Sequence, residues 1–358
     1  LGIELFYATK KEHLAVPYLE KLIDIDGLDG DAHFKLSKLI VDSNEIHRKK
    51  LLLEISVDLM PDYVPSILDL ALLLLKIADA SQYEKFDKES CMFEAEKLFT
   101  KITKLNPKLG KPWYHLGILN FKKNKKETAE KLFHKSLELD DTKGISAYKL
   151  GLMNLEKKDL ILAEKFLFIS YNHNCKKSIS LLEIAIIQEK KKEYKSALNL
   201  LNKAIKIVLE EEKNYYKKSD RFLKLSNFDL ARKNLQKGIQ AKKIQAKILV
   251  KTYQVKRNLG IKPKNNGELK KAIQLDSTNF EPYFELGQIF LKEGNIDEAK
   301  KNFSLSCNNK WSHLESHLKM GQVLLKSHEI DNAIMHFKIV LDLNNSHRIA
   351  KRLLKSCL

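Results

Sequence analysis

One period governs this sequence: residue types recur every 34 positions along most of its 358 residues. The clearest unit starts at Gly110 and carries Trp113, Leu116-Gly117, Ala129, Phe133 and Ser136. One period on stand Ala147, Leu150-Gly151, Ala163, Leu167 and Ser170, followed by Leu181, Ile184-Ala185, Ala197, Leu201 and Ala204. The frame continues through Ala231, Leu235 and Gly238, then Leu269 and Ala272, then Tyr283, Leu286-Gly287, Ala299, Phe303 and Ser306, and finally His317, Met320-Gly321, Ala333 and Phe337. A fixed period of this length marks stacked supersecondary units, none of which can bury its apolar face alone.

The frame divides the chain into a partial unit at 1–29, units at 30–63, 64–109, 110–143, 144–177, 178–211, 212–245, 246–279, 280–313 and 314–347, and a closing helix at 348–358. Unit 64–109 is too long by about 12 residues, and the excess near Asp79–Ser90 is expected to protrude as a loop between its helices. Within each unit, apolar residues three and four apart fall in two stretches, which predicts two helices with one buried stripe each. The fold class is therefore an all-α solenoid of stacked antiparallel helix pairs. The Gly, Ala or Ser after the Leu slot, and the Ala that opens the second helix, let the two helices approach closely. Glu293-Gly294-Asn295 marks a turn between helices, and Met60-Pro61 and Asn106-Pro107 mark unit ends.

Trp113-Tyr114-His115-Leu116-Gly117, the run Ala129 to Leu139, and Lys271-Ala272-Ile273-Gln274-Leu275-Asp276 together resemble the tetratricopeptide repeat family. The resemblance extends over nearly the whole chain and is poorest at 212–265, where Lys218-Ser219 stands in the Leu-Gly slot and longer or distorted hairpins are expected. It implies a right-handed superhelix whose first helices line an inner groove, where members of the family usually bind partners. Members that hold the acidic tails of the major chaperones carry a Lys and Asn pair on one first helix. Here those places hold Tyr114 and Ile118, Tyr148 and Leu152, and Phe284 and Gln288, which argues against that use.

Composition narrows the function further. The longest apolar run, Ile67 to Ala78, is interrupted by Asp69 and Lys76 and is shorter than the roughly 20 residues of a membrane-spanning helix. Cys91, Cys175, Cys307 and Cys357 form no CxxC pair, so neither a zinc motif nor a disulfide framework is suggested, and a reducing, cytoplasmic setting is expected. Leu1-Gly2-Ile3 has no secretory signal, and the chain is expected to be part of something longer.

Net charge is +18, concentrated between Lys213 and Lys271, where 18 Lys or Arg face only Asp220, Asp229 and Glu268. In the repeat frame Lys213, Lys217 and Lys224 fall on one first helix and Lys247 and Lys251 on the next, so Lys213, Lys217, Lys247 and Lys251 are expected to form a square on the inner face. Ile179, Glu183, Glu281 and Glu285 occupy the same places in neighbouring units, which predicts a groove that changes sign along its length. Tyr114, His115 and Tyr148 are lesser groove candidates, and Trp113 reads as core. Only six of the 64 basic residues are Arg, which argues against base-specific nucleic-acid reading. Tyr215, Tyr216, Phe222, Phe228 and Tyr253 lie among the lysines and could stack on bases, although at helical spacing they read first as core.

Catalytic signatures are missing: no phosphate-binding Gly-rich loop, no GxSxG elbow, no Cys-His pair in local context. His313 and His317 stand four apart but without an HExxH order or a visible third ligand, and no metal or cofactor is expected. The sequence thus predicts a non-enzymatic scaffold that grips a partly acidic peptide in its groove. The alternatives are a nucleic-acid-associated repeat protein and the targeting module of a larger enzyme. Stoichiometry is not fixed by the sequence.

Overall fold

The computed structural model describes residues 15–40, 43–79, 86–139, 142–225, 227–261 and 266–357. It is all-helical over these residues and divides into two compact units, Leu1–Lys176 and Lys177–Leu358, each described by itself.

The first unit contains α1 (Val16–Ile25), α2 (Gly30–Leu39), α3 (Ile46–Leu59), α4 (Val64–Asp79), α5 (Lys88–Leu105), α6 (Gly110–Lys122), α7 (Lys126–Leu137), α8 (Lys143–Glu156) and α9 (Leu160–Asn172). The second contains α10 (Lys177–Lys190), α11 (Tyr194–Lys224), α12 (Phe228–Asn258), α13 (Gly267–Leu275), α14 (Phe280–Lys292), α15 (Ile296–Asn309), α16 (Leu314–Lys326), α17 (Ile330–Leu343) and α18 (Arg348–Cys357). The protruding loop expected near Asp79–Ser90 falls mostly outside the described residues. Helix α4 runs to Asp79 and α5 begins at Lys88 behind an Asp87 cap, and residues 80–85 lie outside the described residues.

Close helix approach has the cause the sequence implied. A Cβ on Gly117 would lie 2.7 Å from the Phe133 ring, one on Gly287 2.8 Å from Phe303, and one on Gly321 2.5 Å from Phe337. Each of those Phe rings is fully buried, so the Gly slot of the first helix is filled by the aromatic slot of the second. Between helices, buried serines ten residues apart bond to each other: Ser56 to Ser66 at 2.7 Å, Ser136 to Ser146 at 2.8 Å and Ser306 to Ser316 at 2.7 Å. The turns inside the hairpins repeat as well. Asn124, Lys158, Lys192, Gly260, Gly294 and His328, all in one register of the 34-residue frame, have φ between 59° and 78°. Side-chain caps from Asp29, Asp159, Asn227, Asn279 and Asn295 start the helices that follow them. At the end of the chain α18 lays Ala350, Leu353, Leu354 and Cys357 on the last core cluster.

The departure from regularity is at α11 and α12, each 31 residues long. The frame places unit boundaries at 211/212 and 245/246, yet both helices run straight through. Elsewhere the chain between units carries residues that stop a helix, such as Asn106-Pro107 or Asp276 to Asn279. Here it reads Leu209-Glu210-Glu211-Glu212-Lys213 and Lys242-Lys243-Ile244-Gln245-Ala246, with no Gly, Pro, Asn or Asp.

Candidate interaction surface

Continuity of α11 and α12 decides where the basic residues stand. Ser178, at the start of α10, donates to Glu211 at 2.8 Å, so α11 runs past the end of α10 from about residue 212. On the other side Leu269 and Ala272 of α13 share a core with Ala246, Val250 and Tyr253, so α12 reaches its α13 partner only from about residue 246. Between these limits α11 and α12 pack on each other as an antiparallel arm. Its register is fixed by Ser219 Oγ donating to Ala231 O at 2.9 Å, by Gly238 against the Tyr216 ring, and by Lys242 3.8 Å from Glu212. Buried Ala231, Asn234, Gly238, Ala241 and Gln245 alternate three and four apart, the spacing of a two-helix seam, and small residues dominate it. Segment 246–258 of α12 then packs beside α10, and the regular stack resumes through α13.

This geometry overturns the expected square of lysines. In the arm's register the residue opposite Lys217 lies near 236, so Lys251 stands about 15 residues further along α12, roughly 22 Å away along the axis at 1.5 Å per residue. Lys213, Lys217 and Lys224 belong to the arm, are exposed, and form no ion pair among the described residues. Lys247 and Lys251 belong to the stack beside α10. Lys251 pairs with Glu189 at 3.0 Å and donates to Gln254 at 2.7 Å. Burial pushes the Glu183 carboxyl up, opposed by Lys247, Lys190 and Lys251. Buried Glu285 pairs with Arg257 and accepts from Gln254 at 2.8 Å. Lys251 and Glu285 on this face are thus held in internal ion pairs, whereas Lys247 is exposed.

The arm itself is strongly basic: between 213 and 243 ten Lys or Arg face only Asp220 and Asp229. Its tip is also apolar, with Leu225 63% and Phe228 69% exposed and Leu223 beside them. Of the five interleaved aromatics Tyr253 is core, Tyr216 lies under Lys242 and against Gly238, Tyr215 lies under Lys237 at 5.7 Å, and Phe222 is half-buried. Only Phe228 is an open face, which is too little for a base-stacking track.

The lesser groove candidates are mostly packing. His115 stacks on Phe99 at 5.1 Å, and burial with nearby Lys111 pushes its pKa down to about 4. Tyr114 leans on Phe133 at 5.8 Å, its hydroxyl pushed up to about 12 by burial. Tyr148 is half-buried. Trp113, read as core, is half-buried too and donates its indole N–H to Pro107 O at 3.0 Å. His313 and His317 do not converge: His313 bonds Ser316, whereas His317 meets His336 and Cys307.

Residues 268–301 match a family model described as tetratricopeptide repeat. No curated protein matches the sequence. Among solved structures the chain is similar to that described as Pseudomonas aeruginosa pilF, at 13% identity and a TM-score of 0.51, over 69% of this chain and 97% of that one. Looser likeness is found to yeast Tom70, at 14% identity and a TM-score of 0.36 over 99% and 94%. The same holds for the APC/C hetero-tetramer Cut9-Hcn1, at 15% identity and a TM-score of 0.44 over 96% of this chain. The chain spans about half, 52%, of the length of that last structure's chain.

Proposed function

We propose that the chain, of which residues 268–301 match a tetratricopeptide-repeat model and 69% shares the helix-pair fold of one solved structure, is a protein-interaction scaffold. Its contact element is the basic arm at 213–243, and its partner is a protein segment that is acidic and carries apolar side chains. The observation that carries this reading is the combination at the arm: ten cations with two acids, three of those cations unpaired sequence-predicted lysines, and exposed Leu223, Leu225 and Phe228 at one end. Such a surface attracts an acidic segment at long range and holds it by apolar burial. Two of the charges that the repeat frame places in the groove, Lys251 and Glu285, are by contrast already engaged in the pairs Lys251–Glu189 and Arg257–Glu285.

The test is affinity capture from the native source with the parent chain, with a Lys213→Glu/Lys217→Glu/Lys224→Glu variant, and with Leu225→Ser/Phe228→Ser, each with and without nuclease. Both variants are expected to lose the same nuclease-insensitive protein, and the first to lose it in proportion to ionic strength. Retention of every partner by both variants refutes the arm as the contact element. Loss confined to nuclease-sensitive material refutes a protein partner.

A further inference from the structure

We propose that Cys307, His317 and His336 form a binding site for a zinc ion that ties together α15, α16 and α17. Their ligand atoms, one per residue, lie within 4.8 Å of one another, with Cys307 and His317 buried and His336 half-buried. The two imidazoles meet through Nδ1, at 2.9 Å. Tetrahedral zinc with Zn–N near 2.05 Å would set its two nitrogens about 3.3 Å apart and a thiolate about 3.6 Å from each, so shifts of about an ångström suffice.

The surroundings support ligation beyond proximity. His317 Nε2 lies 2.9 Å from Trp311 O, and a carbonyl can only accept. Nε2 therefore carries the proton, and the Nδ1 lone pair faces His336 Nδ1. A backbone carbonyl in this role is the usual outer-shell partner of a zinc-bound histidine, because it fixes tautomer and ring orientation. Without metal, His336 Nδ1–H donates to His317 Nδ1. With metal, that proton sits on His336 Nε2 instead, Cys307 releases its thiol proton to solvent, and both Nδ1 atoms and the thiolate donate to the ion. Water completes the fourth position.

The repeat supplies an independent argument. In register with Cys307 the chain has Leu137, Tyr171, Ile205 and Ile273. In register with His317 it has Trp113, Ala147, Leu181 and Tyr283, and in register with His336 it has Leu132, Phe166, Leu200, Asn234, Glu268 and Asn302. The first two are packing slots that the other units fill mainly with apolar side chains, and the third takes apolar and polar side chains alike. Here three of them carry soft or borderline ligands at once, and those three converge. Two nitrogens and a sulfur favour zinc over magnesium or calcium, which take oxygen ligands.

The experiment uses the full 358-residue chain. Zn²⁺ is titrated against a chromophoric chelator, and Co²⁺ is added separately as a spectroscopic probe. Comparison chains are Cys307→Ser, His336→Gln, and His313→Gln as a neighbouring control; His336→Gln changes a half-buried side chain and keeps the fold if the Cys307 variant does not. The expected result is one Zn²⁺ per chain, bound at least 100-fold more weakly in Cys307→Ser and His336→Gln and unchanged in His313→Gln. A thiolate-to-cobalt absorption band should appear in the parent and vanish in Cys307→Ser. No stoichiometric Zn²⁺ uptake by the parent overturns the proposal, as does equal affinity in parent and His336→Gln.

Discussion

Replacing Gly321 by Ala isolates the packing principle of the whole array. The new Cβ would sit 2.5 Å from Phe337 Cε1 and 2.9 Å from Cζ, against an ordinary carbon contact of about 3.5–4.0 Å. Phe337 is fully buried and cannot swing away, so α16 and α17 must part by about an ångström. An overlap that deep costs about 2–3 kcal/mol, the upper part of the overpacking range, and the gain in helix propensity from Gly to Ala returns about 1 kcal/mol. The net loss is about 1–2 kcal/mol, which corresponds to roughly 5- to 30-fold faster amide exchange in α16 and α17 if they open together. The chain contains its own remedy, because Ala185 is matched with Leu201 in the hairpin at 178–211. Phe337→Leu should therefore cost less in the Gly321→Ala background than alone, with a coupling of about 1 kcal/mol. Hydrogen exchange read by mass spectrometry on the three variants is the assay. Exchange in Gly321→Ala equal to or slower than in the parent would refute the argument that the Gly slot exists for the Phe ring.

Two other outcomes are expected. Leu209→Pro copies the position that Pro107 holds three residues before its next unit; because α11 is continuous there, it should cost at least about 3 kcal/mol in the local stability of α11, measured by amide exchange, whereas a turn at 211/212 would tolerate it. His115 has a folded pKa of about 4 against 6.5 for the free side chain, so the unfolded chain binds the extra proton first as pH falls. Its contribution is present above about pH 6.5 and is lost as pH falls towards 4, on the order of 3 kcal/mol at most. A His115→Gln variant whose melting temperature changes with pH between 7 and 4 just as the parent's does would contradict this.

Much of this was legible in the sequence because a repeat states its packing several times. Gly117 with Phe133, Gly287 with Phe303 and the turn at Gly294 were all readable at fixed offsets, and each stands where the offsets put it. Longer or distorted hairpins were expected at 212–265 and are found, but the arm itself was not foreseen because the frame survives there: Ala231, Gly238 and the turn residue Gly260 keep register. What changes is the absence of a stop signal at 209–213 and 242–246, so the same offsets describe helices laid end to end instead of side by side. The stop signals, read alongside the period, would have shown it. The Cys307, His317 and His336 group had no linear signature, since spacings of 10 and 19 are set by hairpin stacking; its trace was a Cys and a His in two slots that other units fill mainly with apolar residues.

The most direct test of this account is the distance between spin labels at 224 and 258 in a background with its four native cysteines replaced. The arm places residue 224 beside the start of α12 and residue 258 at its far end, so double electron–electron resonance should read about 45 Å along a helix of 1.5 Å rise. Units stacked in the regular frame would place equivalent positions on neighbouring helices, about 10 Å apart, and a distribution centred there would contradict the arm.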